Sequence, residues 1–189
     1  VSIKNLPPGS SFYGFNLEPY DLVIEDCDGA VRMQDCFLQG GVQVWGSADV
    51  SLSRCRMWGH NSHEGSYNYV GLPGLQSQDS RVALFDCELR GGDGRVGWQG
   101  GVTQHCATDA GPGLLAKGGE VYAMNCSFRG GEAYPQVSSF CPIEVYTAFP
   151  GNGIEAGDGA AVFMTALGEL EGGNGGQSTA IAEDSTLSF

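Results

Sequence analysis

The sequence predicts an all-β fold, a solenoid of stacked coils made of short strands. Three observations predict it. A ten-residue pattern occurs four times without gaps: "VRMQDCFLQG" (31–40), "VSLSRCRMWG" (50–59), "VALFDCELRG" (82–91) and "VYAMNCSFRG" (121–130). Each copy follows a short apolar stretch that ends in a polar or Gly turn: "LVIEDCDGA" (22–30), "VQVWGSAD" (42–49), "GLQSQDSR" (74–81) and "GLLAKGGE" (113–120). Gly supplies 31 of 189 residues, about twice its ordinary share of ~7%. A self-similar unit of this kind cannot bury its apolar face alone, so its copies stack.

The repeated pattern reads V-x-apolar-x-polar-C-x-apolar-x-Gly. Val31, Val50, Val82 and Val121 and the residues two later (Met33, Leu52, Leu84, Ala123) share one face, because strand side chains alternate. The next inward slot would fall on Asp35, Arg54, Asp86 or Asn125, all polar. The phase instead slips by one, to Cys36, Cys55, Cys87 and Cys126. A slip at a polar residue marks a corner. A second short strand then begins with Cys and the apolar residue two later (Leu38, Met57, Leu89, Phe128) facing in, and Gly40, Gly59, Gly91 or Gly130 ends it.

The preceding stretches form the other wall, with first inward residues Leu22, Val42, Leu75, Leu114 and Ile154, spaced by 20, 33, 39 and 40 residues. The shortest spacing is one bare coil. The others exceed it by 13 to 20 residues, expected as loops inserted at one corner, after the Gly. A degraded copy, "GIEAGDGAAVFMTALGELEGG" (153–173), puts Leu167 near the Cys slot. Residues 1–189 therefore read as one domain: 1–21 an incomplete opening coil, 22–173 the main coils, 174–189 an incomplete last coil. About six coils at ~4.8 Å each give a rod of roughly 30 Å.

Charge limits the partners. Asp and Glu outnumber Lys and Arg by 22 to 9, a net charge of −13. Nucleic acid and anionic membrane surfaces are bound through Lys and Arg, so neither is expected. No apolar run approaches the ~20 residues of a membrane span. The chain shows no signal peptide and does not begin with Met, so it is read as a mature product, a fragment or an excised domain.

This arrangement resembles the right-handed parallel β-helix superfamily, the pectate-lyase-like solenoids. The resemblance covers residues 22–173 well and both ends loosely, and it specifies fold rather than activity. It implies three short parallel sheets and a dry interior of aligned side chains. The right hand agrees with the general handedness of parallel crossovers.

In this register Cys36, Cys55, Cys87 and Cys126 form one inward column of buried thiols acting as small hydrophobes. Cys27 is expected to be buried at the other corner. Metal sites want ligands converging from different directions, which a straight column does not offer. Cys106 and Cys141 lie within the long insertions. They are the one pair expected to form a disulfide, since a loop without its own core gains from a staple.

The insertions are 60–74, 92–113 and 131–153, and loops on a rigid scaffold carry most sites. They hold Tyr67, Tyr69, Trp98, Tyr134, Phe140, Tyr146 and Phe149. One reading is an aromatic platform for sugar rings. The simpler one is a satellite core on which the loops pack. On the outer face of the repeat, Arg32, Gln34, Ser51 and Ser53 are wet, but Ala83, Phe85, Tyr122 and Met124 are largely apolar. That stripe calls for a cover, either the loops or another protein. With Trp58, Trp98, Tyr134 and Tyr146, it is the expected partner or ligand surface.

Many relatives of this fold cleave polysaccharides. The polygalacturonase motifs (Asn-Thr-Asp, Asp-Asp, Gly-His-Gly, Arg-Ile-Lys) reduce here to "GHN" at 59–61. The pectate-lyase pattern requires a calcium-binding Asp cluster and a basic residue. Arg90 and Arg129, stacked after the Cys strand with Asp93 and Glu132 beyond, are the alternative catalytic set. The same residues also make ordinary surface pairs. His60 and His63, with Glu64 beside them, form an alternative metal site that lacks a third ligand of known position. "GGDGRVG" and "AGDGA" are similar to calcium-binding Gly-Asp turns but lack the nine-residue repeat of such sites. No cofactor is therefore expected, with calcium as the alternative.

The function expected from these observations is a non-catalytic structural, adhesion or assembly subunit. It would be extracellular, periplasmic or at the cell surface, and would contact other protein subunits or self-assemble. The alternative is a polysaccharide-binding or polysaccharide-cleaving β-helix. Neither end shows the apolar period of a capping helix, so the strand edges at 180–189 are also expected to invite a neighbour.

Overall fold

The structure is a computed structural model that describes residues 2–4, 10–13, 16–17, 21–61, 70–94, 109–133, 149–166, 168–174, 176–182 and 184–189. The described residues form strands and turns and no helix, so none among them is a helix long and apolar enough to cross a membrane. Leu167, His63, Glu64, Tyr67, Tyr69, Trp98, Cys106, Tyr134, Phe140, Cys141 and Tyr146 lie outside the described residues. The expectations attached to them, including the Cys106–Cys141 disulfide, lie there too.

The chain visits three limbs in rotation. The first limb holds β1 (Ser2–Lys4), β4 (Leu22–Glu25), β7 (Val42–Trp45), the starts of β10 (Leu75–Phe85) and β12 (Leu114–Met124), β14 (Ile154–Gly157) and β17 (Thr179–Ile181). The second holds β2 (Ser10–Tyr13), β5 (Val31–Gln34), β8 (Val50–Ser53), the ends of β10 and β12, β15 (Ala161–Thr165) and β18 (Thr186–Ser188). The third holds β3 (Asn16–Leu17), β6 (Phe37–Gly40), β9 (Arg56–Gly59), β11 (Glu88–Arg90), β13 (Ser127–Arg129) and β16 (Leu170–Glu171). All pairings are parallel and in the register of the repeat: Val31↔Val50↔Val82↔Val121↔Val162 in the second limb, Leu38↔Met57↔Leu89↔Phe128↔Leu170 in the third. Such parallel stacking is compatible with a β-helix or solenoid. Residues 2–17 place a strand in each of the three limbs.

Two features differ from the expectation. The resemblance implied three sheets, and there are two, one of 12 strands and one of six. The first two limbs merge because β10 and β12 each run unbroken for 11 residues. The polar and Gly residues between their limbs read as turns. In place they only kink the strand: Asp79 and Gly118 take left-handed backbone angles, φ 48° and 66°, and the ladder continues past them.

Both corners use this device. Asp26, Gly46, Asp79, Gly118 and Asp158 stack as a column of left-handed residues at the first corner. Asp35, Arg54, Asp86, Asn125 and Ala166 do so at the second. Asp and Asn tolerate this region better than most side chains, which explains why the slot before Cys is mostly Asp or Asn. Stacked polar residues also pair outside. Arg54 donates to both Asp35 oxygens (2.7 and 2.9 Å), and Asn125 donates to Asp86 at 2.7 Å.

The Arg54 and Gln34 hydrogen bonds hold the Asp35 carboxyl at about 2, below its ordinary 3.8. A carboxyl depressed in the fold stabilises above its unfolded value, and that contribution fades as pH falls from about 3.8 to about 2. The pair is exposed, so the effect is small. Asp35→Asn is expected to melt slightly below wild type near neutral pH, with the gap closing as pH falls to 2. Melting curves that differ equally at every pH would contradict this.

The interior is a single apolar core. Leu22, Val42, Leu75, Leu114 and Ile154 are at most 1% exposed, as are Leu38, Met57, Leu89 and Phe128. Coil volumes compensate: where β12 turns Ala116 and Ala123 inward beside Leu114 and Val121, the third limb supplies Phe128.

Glycine explains the remaining corner. Outbound segments after the third limb and returning segments before the first alternate in one hydrogen-bonded chain. Leu72 N donates to His60 O, Gly92 N to Leu72 O, Gly111 N to Gly92 O, Gly131 N to Gly111 O, Gly151 N to Gly131 O and Gly173 N to Gly151 O, all at 2.8–3.0 Å. A Cβ on Gly92 would stand 2.1 Å from His60 O, and one on Gly111 2.3 Å from Leu72 O. The backbones meet so closely that no side chain fits.

Candidate functional site

Three groups of residues carry chemistry: the buried thiols, the Arg-acid column at the necks of the long connections, and the outer face of the second limb.

Cys36, Cys55, Cys87 and Cys126 are 1–3% exposed and reduced. Each Sγ donates to the carbonyl two residues back at 3.2–3.3 Å. Cys55 and Cys87 also reach the preceding coil, at Met33 O and Leu52 O, and the Cys87 N–H donates to Cys126 Sγ at 3.4 Å. The first corner repeats the scheme with hydroxyls. Ser47 and Ser80 donate to the carbonyls two residues back (3.0 and 2.7 Å) and accept the N–H of Cys27 and Ser47 respectively. Cys27 is fully buried at the end of this row. A thiol or hydroxyl after Asp26, Gly46 and Asp79 at the first corner, and after Asp35, Arg54, Asp86 and Asn125 at the second, thus satisfies backbone groups inside the corner.

The Arg-acid column lies as the register implies: Gln39↔Trp58↔Arg90↔Arg129↔Glu171. Arg90 pairs with Asp93 at 3.2 Å and Arg129 with Glu132 at 3.3 Å. Asp93 is 9% exposed and occupied by the scaffold: its Oδ1 accepts Glu132 N–H at 3.0 Å, and its own N–H donates to Asn61 Oδ1 at 2.7 Å. Asn174 continues the series, exchanging two bonds with Ala133. These side chains tie outbound segments of successive coils together. Trp58 is half-buried beside them, edge-on to Phe37 (centroids 5.0 Å, 89°), and its Nε1 is buried without a partner. His60 Nδ1 stands 2.6 Å from Asn61 O. Among the described residues no three His, Cys, Asp or Glu side chains converge as metal ligands.

The outer face of the second limb is where apolar surface meets water. Tyr122 is 36% and Met124 46% exposed, and Phe85 and Ala83 are half-buried. Sequence reading missed one member, Phe163, in register with Tyr122; its signal was Val162 standing in the Val slot of the degraded copy. Tyr122 and Phe163 stack at 5.0 Å and 15°, while the Arg81 guanidinium sits 5.7 Å from the Tyr122 centroid. The Tyr122 hydroxyl donates to Glu120 at 2.9 Å. The long connections leave from the third limb and return to the first, so this face adjoins neither of their ends. The described residues leave it uncovered. Comparison with known proteins finds no matching family model, curated protein or solved structure, so this geometry is what the function must be read from.

Proposed function

We propose that the chain is a non-catalytic right-handed parallel β-helix of the pectate-lyase-like type, with about six coils and long loops at one corner. It acts as a structural, adhesion or assembly subunit in an extracellular, periplasmic or cell-surface setting, docking another protein chain on the outer face of its second limb. The observation that carries this reading is the uncovered set Tyr122, Phe163, Met124 and Phe85 on a rigid sheet. Stacked rings and Met are a common anchor for a protein partner. A pyranose needs an open ring face. Here Phe163 and Arg81 occupy the Tyr122 ring, so that ring offers a ligand its edge. Arg32, Arg81 and Glu120 of the second-limb strands, with Asp49 just before β8, put two charges of each sign at this face. On a chain of net charge −13, a neutral face is where another acidic protein approaches without repulsion.

The double variant Tyr122→Glu/Met124→Glu tests it. The variant is expected to keep the wild-type circular dichroism and melting temperature, and to lose at least tenfold in affinity for the protein that wild type retains in stoichiometric amount. Equal retention by both would remove the docking face. The alternative reading, a polysaccharide-active β-helix, rests on the Arg90–Asp93 and Arg129–Glu132 pairs at the loop necks. Formation of unsaturated uronate ends from a polyuronate, abolished by Arg90→Ala, would put it in place of ours.

A further inference from the structure

The thiol column takes no part in the docking face, and its geometry points to a chemistry of its own. The pairings on either side, Gln34↔Ser53 and Phe37↔Arg56, then Phe85↔Met124 and Glu88↔Ser127, place Cys36 beside Cys55 and Cys87 beside Cys126. Ser53↔Phe85 and Arg56↔Glu88 place Cys55 beside Cys87. In-register parallel neighbours stand ~4.8 Å apart, inside the Cα window of about 4.4–6.8 Å that a disulfide spans. The column is also linked by hydrogen bonds between coils: the Cys87 N–H donates to Cys126 Sγ at 3.4 Å, and the Cys55 and Cys87 thiols reach carbonyls of the preceding coil. Cys27 differs, because its column neighbours are Ser47 and Ser80.

We propose that this column is an oxidation site, in which a small peroxide joins Cys36 to Cys55 and Cys87 to Cys126 as disulfides between adjacent coils. A thiolate attacks one peroxide oxygen; the S–O bond forms, the O–O bond breaks, and hydroxide leaves and takes up a proton. The neighbouring sulfur then attacks the sulfenic sulfur; the S–S bond forms, the S–O bond breaks, and a second water leaves. Two thiols and one peroxide give one disulfide and two waters, with two electrons passing from sulfur to peroxide. The neighbouring Cys87 thiol lowers Cys55 to about 7 and lowers Cys126 as well. The two readier nucleophiles therefore belong to different pairs, each with a resolving neighbour. Cys87, held between Cys126 and Cys55, is pushed up and resolves rather than attacks. Burial excludes bulky reagents but admits a molecule of peroxide size during local opening.

The test treats the folded full-length chain with hydrogen peroxide, then unfolds it, alkylates the remaining thiols and maps the peptides. Exposed Met124 serves as the internal clock, since its sulfoxide shows that oxidant reached the protein. By the time Met124 is fully oxidised, 36–55 and 87–126 linkages are expected to predominate. Cys27 should remain alkylatable and the melting temperature should rise. Cys55→Ser should retain the 87–126 bond and leave Cys36 reduced. Linkages between non-neighbours such as 36–126, isolated sulfinic or sulfonic acids, or ladder thiols still reduced when Met124 is spent would each overturn the proposal.

Discussion

Gly131→Val is expected to stop the chain from reaching its native fold. A Cβ at this position would stand 2.1 Å from Gly92 O and 2.6 Å from Gly92 C. Overpacking costs ~1–3 kcal/mol where side chains can give way. Here the obstacle is backbone, pinned by the bonds from Gly131 N to Gly111 O and from Gly151 N to Gly131 O. Moving it also breaks the Gly111 N to Gly92 O bond. The loss should exceed that range and consume much of a domain's usual ~5–15 kcal/mol. Gly157→Val is the control, since its Cβ would meet nothing closer than Ala182 Cβ at 4.0 Å. Circular dichroism and thermal unfolding decide it: the Gly157 variant should melt near wild type and the Gly131 variant should show no cooperative transition. Two variants with the same melting temperature would mean that the glycine chain at the loop necks does not exist as described.

Phe128→Ala is expected to cost ~3–5 kcal/mol. Phe128 is wholly buried between Leu89 and Leu170 of the neighbouring coils. Its own coil offers the small Ala116 and Ala123 beside Leu114 and Val121, so less side chain is at hand to lean into the cavity. Leu89→Ala should cost less, because its coil carries Leu84 where the Phe128 coil carries Ala123. Adding Ala123→Leu to Phe128→Ala restores much of the lost volume and should recover most of the stability. Urea unfolding of the four chains measures this. A Phe128 variant no weaker than the Leu89 variant would contradict the packing.

The repeat and its phase slip were legible because each slot has one physical demand. Val31, Leu52 and Cys87 had to face in, while Asp35 and Asn125 could hold the left-handed bend. The first corner was less legible. Asp79 and Gly118 have turn composition, and only the ladder across β10 and β12 shows that they bend a strand without ending it. Gly content was visible, in the pairs Gly91–Gly92 and Gly130–Gly131 among others, but its role was not. The bonds it permits join outbound and returning segments in alternation, a relation with no local signature. Arg90 and Asp93 looked like loop-mouth chemistry for the same reason. Their spacing is local, whereas the bonds that occupy Asp93 come from Asn61 and Glu132, a coil away on either side. The apolar outer face was read from alternation alone, and Phe163 escaped because its copy lacks the Cys that marks the others.

All of these arguments depend on in-register stacking of the second limb, and one distance tests that most directly. Arg32 and Ser188 lie in the same outward column, through Ser51, Ala83, Tyr122 and Phe163. Five steps of ~4.8 Å place them about 24 Å apart. Spin labels at Arg32→Cys and Ser188→Cys, read by pulsed electron spin resonance, should give a single narrow distribution near that value. A broad distribution, or a sharp one centred beyond about 35 Å, would contradict the stacked-coil account.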